Sequence, residues 1–102
     1  LSIEQSATCG LILVELVTNS FKYAFPTGRT GMVRVKTRMK SEEEAEMTIV
    51  DEGVGLPEGF TPQNGSTLGL RMVVELIEDQ LEGQWELDGS NGTQWVIQWP
   101  VS

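Results

Sequence analysis

Hydrophobic and polar positions along this chain follow two periods, and each change of period marks an element. Over residues 4–24 apolar side chains recur at three- and four-residue spacing, which predicts a helix. It should end at Phe25-Pro26-Thr27-Gly28, where proline cannot continue the hydrogen-bond ladder and glycine supplies a turn. Residues 32–39 alternate instead, with Val33, Val35 and Thr37 on one face and Arg34, Lys36 and Arg38 on the other. Residues 46–51 do the same and put Met47, Ile49 and Asp51 on a common face, with Ser41-Glu42-Glu43-Glu44 as the hairpin tip between the two strands. Glycine and proline breakers make residues 52–67 a loop, with Ser66 and Thr67 as possible helix caps. Helical spacing returns over residues 68–81 through Leu70, Val73, Val74, Ile77 and Leu81. Two strands close the chain, residues 84–88 and 93–99, the second with Thr93, Trp95, Ile97 and Trp99 on one face.

The order helix, strand, strand, loop, helix, strand, strand predicts an α+β fold: a two-layer sandwich with the helices on one face of a mixed, mostly antiparallel sheet. Composition narrows what such a domain can do. The 102 residues hold one domain, and 39% hydrophobic content is enough for one core. Fifteen acidic against seven basic residues give a formal charge of −8, which argues against nucleic acid and against direct membrane contact, since both begin with Lys/Arg meeting phosphate. Cys9 is the sole cysteine and there is no histidine, so an internal disulfide and the usual zinc sets are excluded, as befits a reducing, cytoplasmic setting. The longest apolar stretch, residues 9–14, is far short of the roughly 20 needed to span a bilayer. Opening at Leu1 rather than methionine reads as a piece of a longer protein.

On a wheel of about 100° per residue, Thr8, Glu15, Asn19 and Lys22 share one narrow stripe of the first helix, and most of the remaining circumference is apolar, including Leu11, Val14 and Phe21. The helix therefore reads as buried nearly all round, with the polar stripe either its wet edge or part of a site. Asp51 ends its strand on the core face, where a carboxylate needs a partner, and Gly53 and Gly55 follow at a spacing that lets backbone approach a flat ligand. The plainer alternative is a turn, which Asp before glycine commonly makes. Thr93 points to the same inner face. Ser66-Thr67-Leu68-Gly69-Leu70 opens the second helix, whose free N–H groups suit an anion. Together these parts supply a base acceptor, a glycine-lined wall, a carboxamide for a cation, a lysine and an anion-binding helix end, the inventory of a nucleotide site.

Glu15-Leu-Val-Thr-Asn19-Ser-Phe-Lys22-Tyr23-Ala-Phe-Pro26 resembles the asparagine box of the sensor histidine kinases, Asp51-Glu-Gly53-Val-Gly55-Leu-Pro57 their first glycine box, and Ser66-Thr-Leu-Gly69-Leu70 a short second one. Gly92-Thr93-Gln-Trp-Val-Ile-Gln-Trp-Pro100 is similar to the family's last strand. The resemblance covers nearly the whole chain in order and spacing. It implies the ATP-binding catalytic domain of a two-component histidine kinase, on the Bergerat-type fold of the wider ATPase superfamily, with the N-terminal part of the fold missing and residues 1–102 one domain of a longer protein. By the same resemblance Asp51 accepts the adenine exocyclic amine with Thr93 supporting it through water, Asn19 coordinates Mg²⁺, Lys22 reaches the phosphates, Tyr23 flanks the base or ribose, and Gly69 and Leu70 offer backbone amides to the phosphates. Glu15 either holds a metal-bound water or acts as a general base. The implied partners are an upstream dimerisation and phosphoacceptor domain, a sensor domain and a response regulator, in a homodimeric parent protein.

Three departures from the family pattern stand out. Glu52 replaces the common Asn or Asp, and strand alternation should turn it away from Asp51. The loop between Gly55 and Gly69 is short and lacks a phenylalanine-rich box, which implies an abbreviated lid. With no histidine, the chain carries no phosphoacceptor. Three other readings remain: a serine kinase of the anti-sigma type on the same fold, a non-catalytic nucleotide-binding interaction module, and an ATP-hydrolysing clamp that would need a further domain. Residues 42–46 read as a solvated acidic tip, Trp85, Trp95 and Trp99 as core-facing strand residues, and Cys9 as an inert core residue.

Overall fold

The computed structural model describes residues 1–21, 31–53, 68–90 and 92–101. The first helix, α1, runs over Ile3–Asn19, with the Ser2 side chain accepting from the Gln5 N–H as its N-cap. Strands β1 (Val33–Met39) and β2 (Glu44–Asp51) follow. Helix α2 (Leu68–Glu75) runs on through a wider π-helical turn over Leu76–Gln80, and β3 (Gln84–Asp88) and β4 (Thr93–Pro100) close the fold. The four described strands form one sheet in the order β1-β2-β4-β3, every pair antiparallel, so the described part of the sheet is antiparallel throughout rather than mixed.

Register fixes which residues share the inner face. Asp51 lies between Val33 and Thr93, Ile49 between Val35 and Trp95, and Met47 between Thr37 and Ile97. Strand alternation then sends these rows toward the helices and their neighbours to the opposite face, so that buried positions alternate with half-buried ones along β2 and much of β4. The core gathers Ile12 and Leu16 of α1, Val73 and Val74 of α2, Ile77 of the π turn, Leu81, and Met47, Ile49, Trp95, Ile97 and Trp99 of the sheet. Cys9 belongs to this core, and burial pushes its thiol above the ordinary value, in keeping with an inert role. Trp85 is the exception among the tryptophans: it is half-buried, its ring stands 5.6 Å from that of Trp95, and its Nε1 donates to Glu78.

The expectation that α1 is buried nearly all round is wrong. Leu11, Val14 and Phe21 are 56%, 67% and 59% exposed, and the covered residues form a single stripe: Gln5, Cys9, Ile12, Leu16 and Ser20. The stripe follows 3.6-residue spacing, so only about 100° of the helix faces the sheet. Its middle is apolar and its two ends are polar. Gln5 Nε2 donates to the carbonyl of Pro100 at 2.8 Å, and Ser20 Oγ donates to Asp51 Oδ2 at 2.9 Å. Each fully buried aliphatic side chain in between is worth roughly 1.5–3 kcal/mol, and each hydrogen bond a net of about 1 kcal/mol. Apolar packing therefore holds α1 down, while the two directional bonds fix where along its axis it sits.

Among the described residues, the inner row of β1 is less covered than those of β2 and β4: Val35 and Met39 are 43% and 54% exposed. The acidic tip also differs from expectation. Glu46 lies within β2 and is bound by Arg38 and Gln98, so the solvated part of the cluster is confined to the turn. Past the π turn, Gly83 N–H donates to the Ile77 carbonyl and Glu82 takes the left-handed conformation at φ 54°, closing the helix in the manner of a C-terminal cap lengthened by one residue.

Candidate nucleotide-binding site

Asp51 is a carboxylate that is 3% exposed at the end of an inner strand, and three donors meet it. Its Oδ1 accepts from the backbone N–H of Gly53 at 3.0 Å and of Thr93 at 3.1 Å, and its Oδ2 accepts from Ser20 Oγ at 2.9 Å. The Gly53 bond is the turn that Asp before glycine commonly makes, so the plain local reading is realised. The bonds from Thr93 and Ser20 go further, because they cross from β4 and from α1. A carboxylate offers about four lone-pair positions, and these bonds occupy three of them, two on Oδ1 and one on Oδ2. Thr93 is held to Asp51 by its backbone, and its side chain is half-buried beside it.

Gly92 presses on the same corner. Its φ is +72°, and a Cβ there would run into the Asp51 carbonyl oxygen, so glycine is required both by conformation and by space. Glu52, as expected, turns outward, where it pairs with Arg34 at 3.1 Å.

The polar stripe of α1 forms the second corner. Asn19 Nδ2 lies 3.4 Å from Glu15 Oε1, a long bond that engages the amide nitrogen rather than the carboxamide oxygen. The Glu15 carboxylate in turn lies against Gly69, in the first turn of α2: a Cβ at position 69 would collide with Glu15 Oε1 and Cδ. The absence of a side chain at Gly69 thus lets α1 and α2 meet through Glu15, a contact that sequence spacing alone did not reveal. Thr8, grouped with this stripe by the helical wheel, spends its hydroxyl on the Glu4 carbonyl of its own helix and takes no part in the corner.

Leu68 opens α2, and Gly69 and Leu70 follow half-buried in its first turn. Lys22, Tyr23, Gly55, Ser66 and Thr67 lie outside the described residues. The residues brought together are therefore Asp51, Gly53 and Thr93 at one corner and Glu15, Asn19 and Gly69 at the other. Sequence reasoning missed Ser20 and the packing role of Gly92. The signal for Ser20 was present: it continues the Gln5, Cys9, Ile12, Leu16 stripe, where an apolar residue would otherwise be expected. Among the described residues no group of three or more Asp, Glu, Cys or His side chains converges to cage a metal.

Residues 5–102 match the family described as histidine kinase-, DNA gyrase B- and HSP90-like ATPase. The chain belongs to this family. Within the family it is similar to the blue-light-activated histidine kinase 2 of Erythrobacter litoralis, at 32% identity over 74% of this chain and 22% of the relative. It is also similar to the sensor histidine kinase PdtaS of Mycobacterium tuberculosis, at 31% identity over 89% of this chain and 19% of the relative. The solved histidine kinase domain of the Erythrobacter litoralis EL346 blue-light-activated kinase superposes with a TM-score of 0.86 at 30% identity, covering 98% of this chain and 46% of that one. The two-layer fold is thus that of histidine kinase ATP-binding domains, and the chain spans only about a fifth of the length of these curated relatives. Among the described residues no helix is long and apolar enough to cross a membrane.

Proposed function

We propose that this ATPase-family domain binds Mg·ATP between its two corners and passes the γ-phosphoryl group to a histidine on a separate dimerisation and phosphoacceptor domain of a longer, homodimeric, cytoplasmically placed kinase, for onward transfer to a response regulator. The observation that carries the reading is the Asp51 carboxylate. It is buried, it is oriented by three hydrogen bonds from Gly53, Thr93 and Ser20, and it has acceptor capacity on Oδ2 for the exocyclic amine of adenine. Asn19 and Glu15 supply hard oxygen donors, which suit Mg²⁺ held mainly by substrate phosphates and water rather than by a protein cage. When bound, Mg²⁺ would neutralise phosphate charge.

The chain's own residues do the remaining work. Asp51 and Thr93 anchor the base and fix its register. Glu15, tethered to Asn19 and seated on Gly69, stands where it can orient a water or take a proton. The family resemblance assigns the phosphates to the first turn of α2, to backbone at Gly69 and Leu70, with Ser66, Thr67, Leu68, Lys22 and Tyr23 expected to contribute. In the transfer step an imidazole nitrogen of the acceptor attacks the γ-phosphorus, the bond to the bridging oxygen breaks, and ADP leaves with the electron pair, so positioning and charge neutralisation provide most of the catalysis.

Calorimetric titration with a non-hydrolysable ATP analogue, with and without magnesium, tests the site. Asp51→Asn should weaken binding by about 1–3 kcal/mol under both conditions, the cost of mispairing a buried polar group. Asn19→Ala should remove only the magnesium-dependent part. Equal binding by Asp51→Asn and the parent would defeat the adenine assignment. Incubating the domain with labelled ATP and the upstream region of its parent protein, then treating the product with acid, tests the chemistry: loss of label marks phosphohistidine, and retention marks a hydroxyl acceptor.

A further inference from the structure

Ser20 follows the Glu15–Asn19 stripe directly, yet it points elsewhere. It lies about 100° further round the helix, on the sheet-facing stripe, and is 9% exposed. Its Oγ donates to Asp51 Oδ2 across 31 residues of sequence. A serine hydroxyl has one proton and an ionised carboxylate can only accept, so that proton is committed to Asp51. Oδ1 is already fixed by two backbone donors, and Ser20 supplies the only described bond to Oδ2. Without it the two Oδ1 bonds alone hold the plane of the carboxylate, and Oδ2 loses the one described donor that aims it.

We propose that Ser20 is a positioning residue that sets purine specificity, its hydroxyl aiming Asp51 Oδ2 so that this end of the pocket offers a fixed acceptor to the 6-amino group of adenine and repels a 6-keto purine. This rests on Asp51 being the base anchor. Ser20 matters through orientation: a carboxylate held by Oδ1 alone still accepts hydrogen bonds, but it discriminates less sharply, because its Oδ2 can tilt away from a carbonyl. The same bond ties the base anchor to the end of α1, one residue beyond Asn19, so the base and cation ends of the site are joined through one helix.

The test compares ADP with IDP, which differ at purine position 6 by an amine against a carbonyl, on the 102-residue chain. The parent should prefer ADP. Ser20→Ala should lose about tenfold in ADP affinity, the scale of one hydrogen bond to a charged group, with IDP affinity unchanged within about twofold, so that the preference narrows. Ser20→Thr, which keeps the hydroxyl, should restore the preference. A parallel fall for both nucleotides, or an unchanged ADP-to-IDP ratio, would overturn the proposal and reduce Ser20 to a packing residue. If the parent itself shows no preference, or Asp51→Asn leaves the preference intact, the base-anchor reading fails instead. Should Ser20→Ala fail to fold, the parent alone decides by NMR. A slowly exchanging Ser20 hydroxyl proton that shifts with ADP and not with IDP supports the proposal, and its absence contradicts it.

Discussion

The two corners of the site are built to different tolerances. At the Asp51 corner a buried carboxylate is fixed by three bonds of 2.9–3.1 Å, one from its own turn and two from α1 and β4, and Gly92 lies against the Asp51 main-chain carbonyl. At the Glu15 corner one bond of 3.4 Å joins two half-buried side chains of the same helix, and the contact with Gly69 runs through the end of a long, rotatable side chain. The base end of the pocket is thus preorganised, and the phosphate end can rearrange. This division suits a ligand whose purine is one fixed shape while its phosphate chain changes length and charge between substrate and product.

Two glycine substitutions should separate the corners most sharply. Gly92→Ala meets backbone that cannot yield and a positive φ, so thermal or urea denaturation should show a loss of about 2 kcal/mol or more. A loss below about 0.5 kcal/mol would mean that the Asp51 corner is not rigid. Gly69→Ala meets only the far end of Glu15, and alanine favours a helix over glycine by up to about 1 kcal/mol, so stability should stay within about 1 kcal/mol of the parent. The displaced carboxylate should instead show in the magnesium dependence of ATP-analogue binding. If Gly69→Ala unfolds the domain as readily as Gly92→Ala, the contrast between the corners disappears.

The smallest effect lies away from both corners. The hydrogen bond from Arg38, followed by that from Gln98, holds the Glu46 carboxyl below its ordinary value. A depressed carboxylate contributes stability that is present above its unfolded value and is lost as pH falls through the lowered folded one. Acid-denaturation curves of the parent and Arg38→Met should therefore separate at neutral pH and converge in acid. The separation should shrink in added salt, because Arg38 is largely exposed, and ADP affinity should not change. A difference that persists unchanged at low pH would assign the effect to packing of the arginine stem.

Much of this arrangement is legible in the amino-acid sequence. Period-2 alternation placed Asp51 and Thr93 on the core face together with Ile49 and Trp95, and the register pairs them as that alternation requires. The family motifs selected Asn19 and Gly69 in the same way. What stayed hidden depended on tertiary packing rather than local pattern. A wheel drawn around Glu15 treated polarity as the mark of the exposed edge, yet Gln5 and Ser20 sit on the buried stripe because each finds a partner on the sheet. Conversely, Leu11, Val14 and Phe21 are apolar and exposed, which composition around a helix cannot exclude. The widening of α2 into a π turn also leaves no mark in side-chain spacing, because it resides in the backbone hydrogen bonds that end at Leu76 and Ile77.

The tryptophans give the domain an internal optical gauge. Trp95 lies two residues along β4 from Thr93 and faces Ile49 across the sheet, Trp99 is buried at the far end of the same strand, and Trp85 is held at the rim by Glu78. Ultraviolet emission from the unlabelled chain should therefore respond to the spacing of the neighbouring Trp85 and Trp95 rings, so that loosening near the nucleotide corner can be followed without attaching any dye.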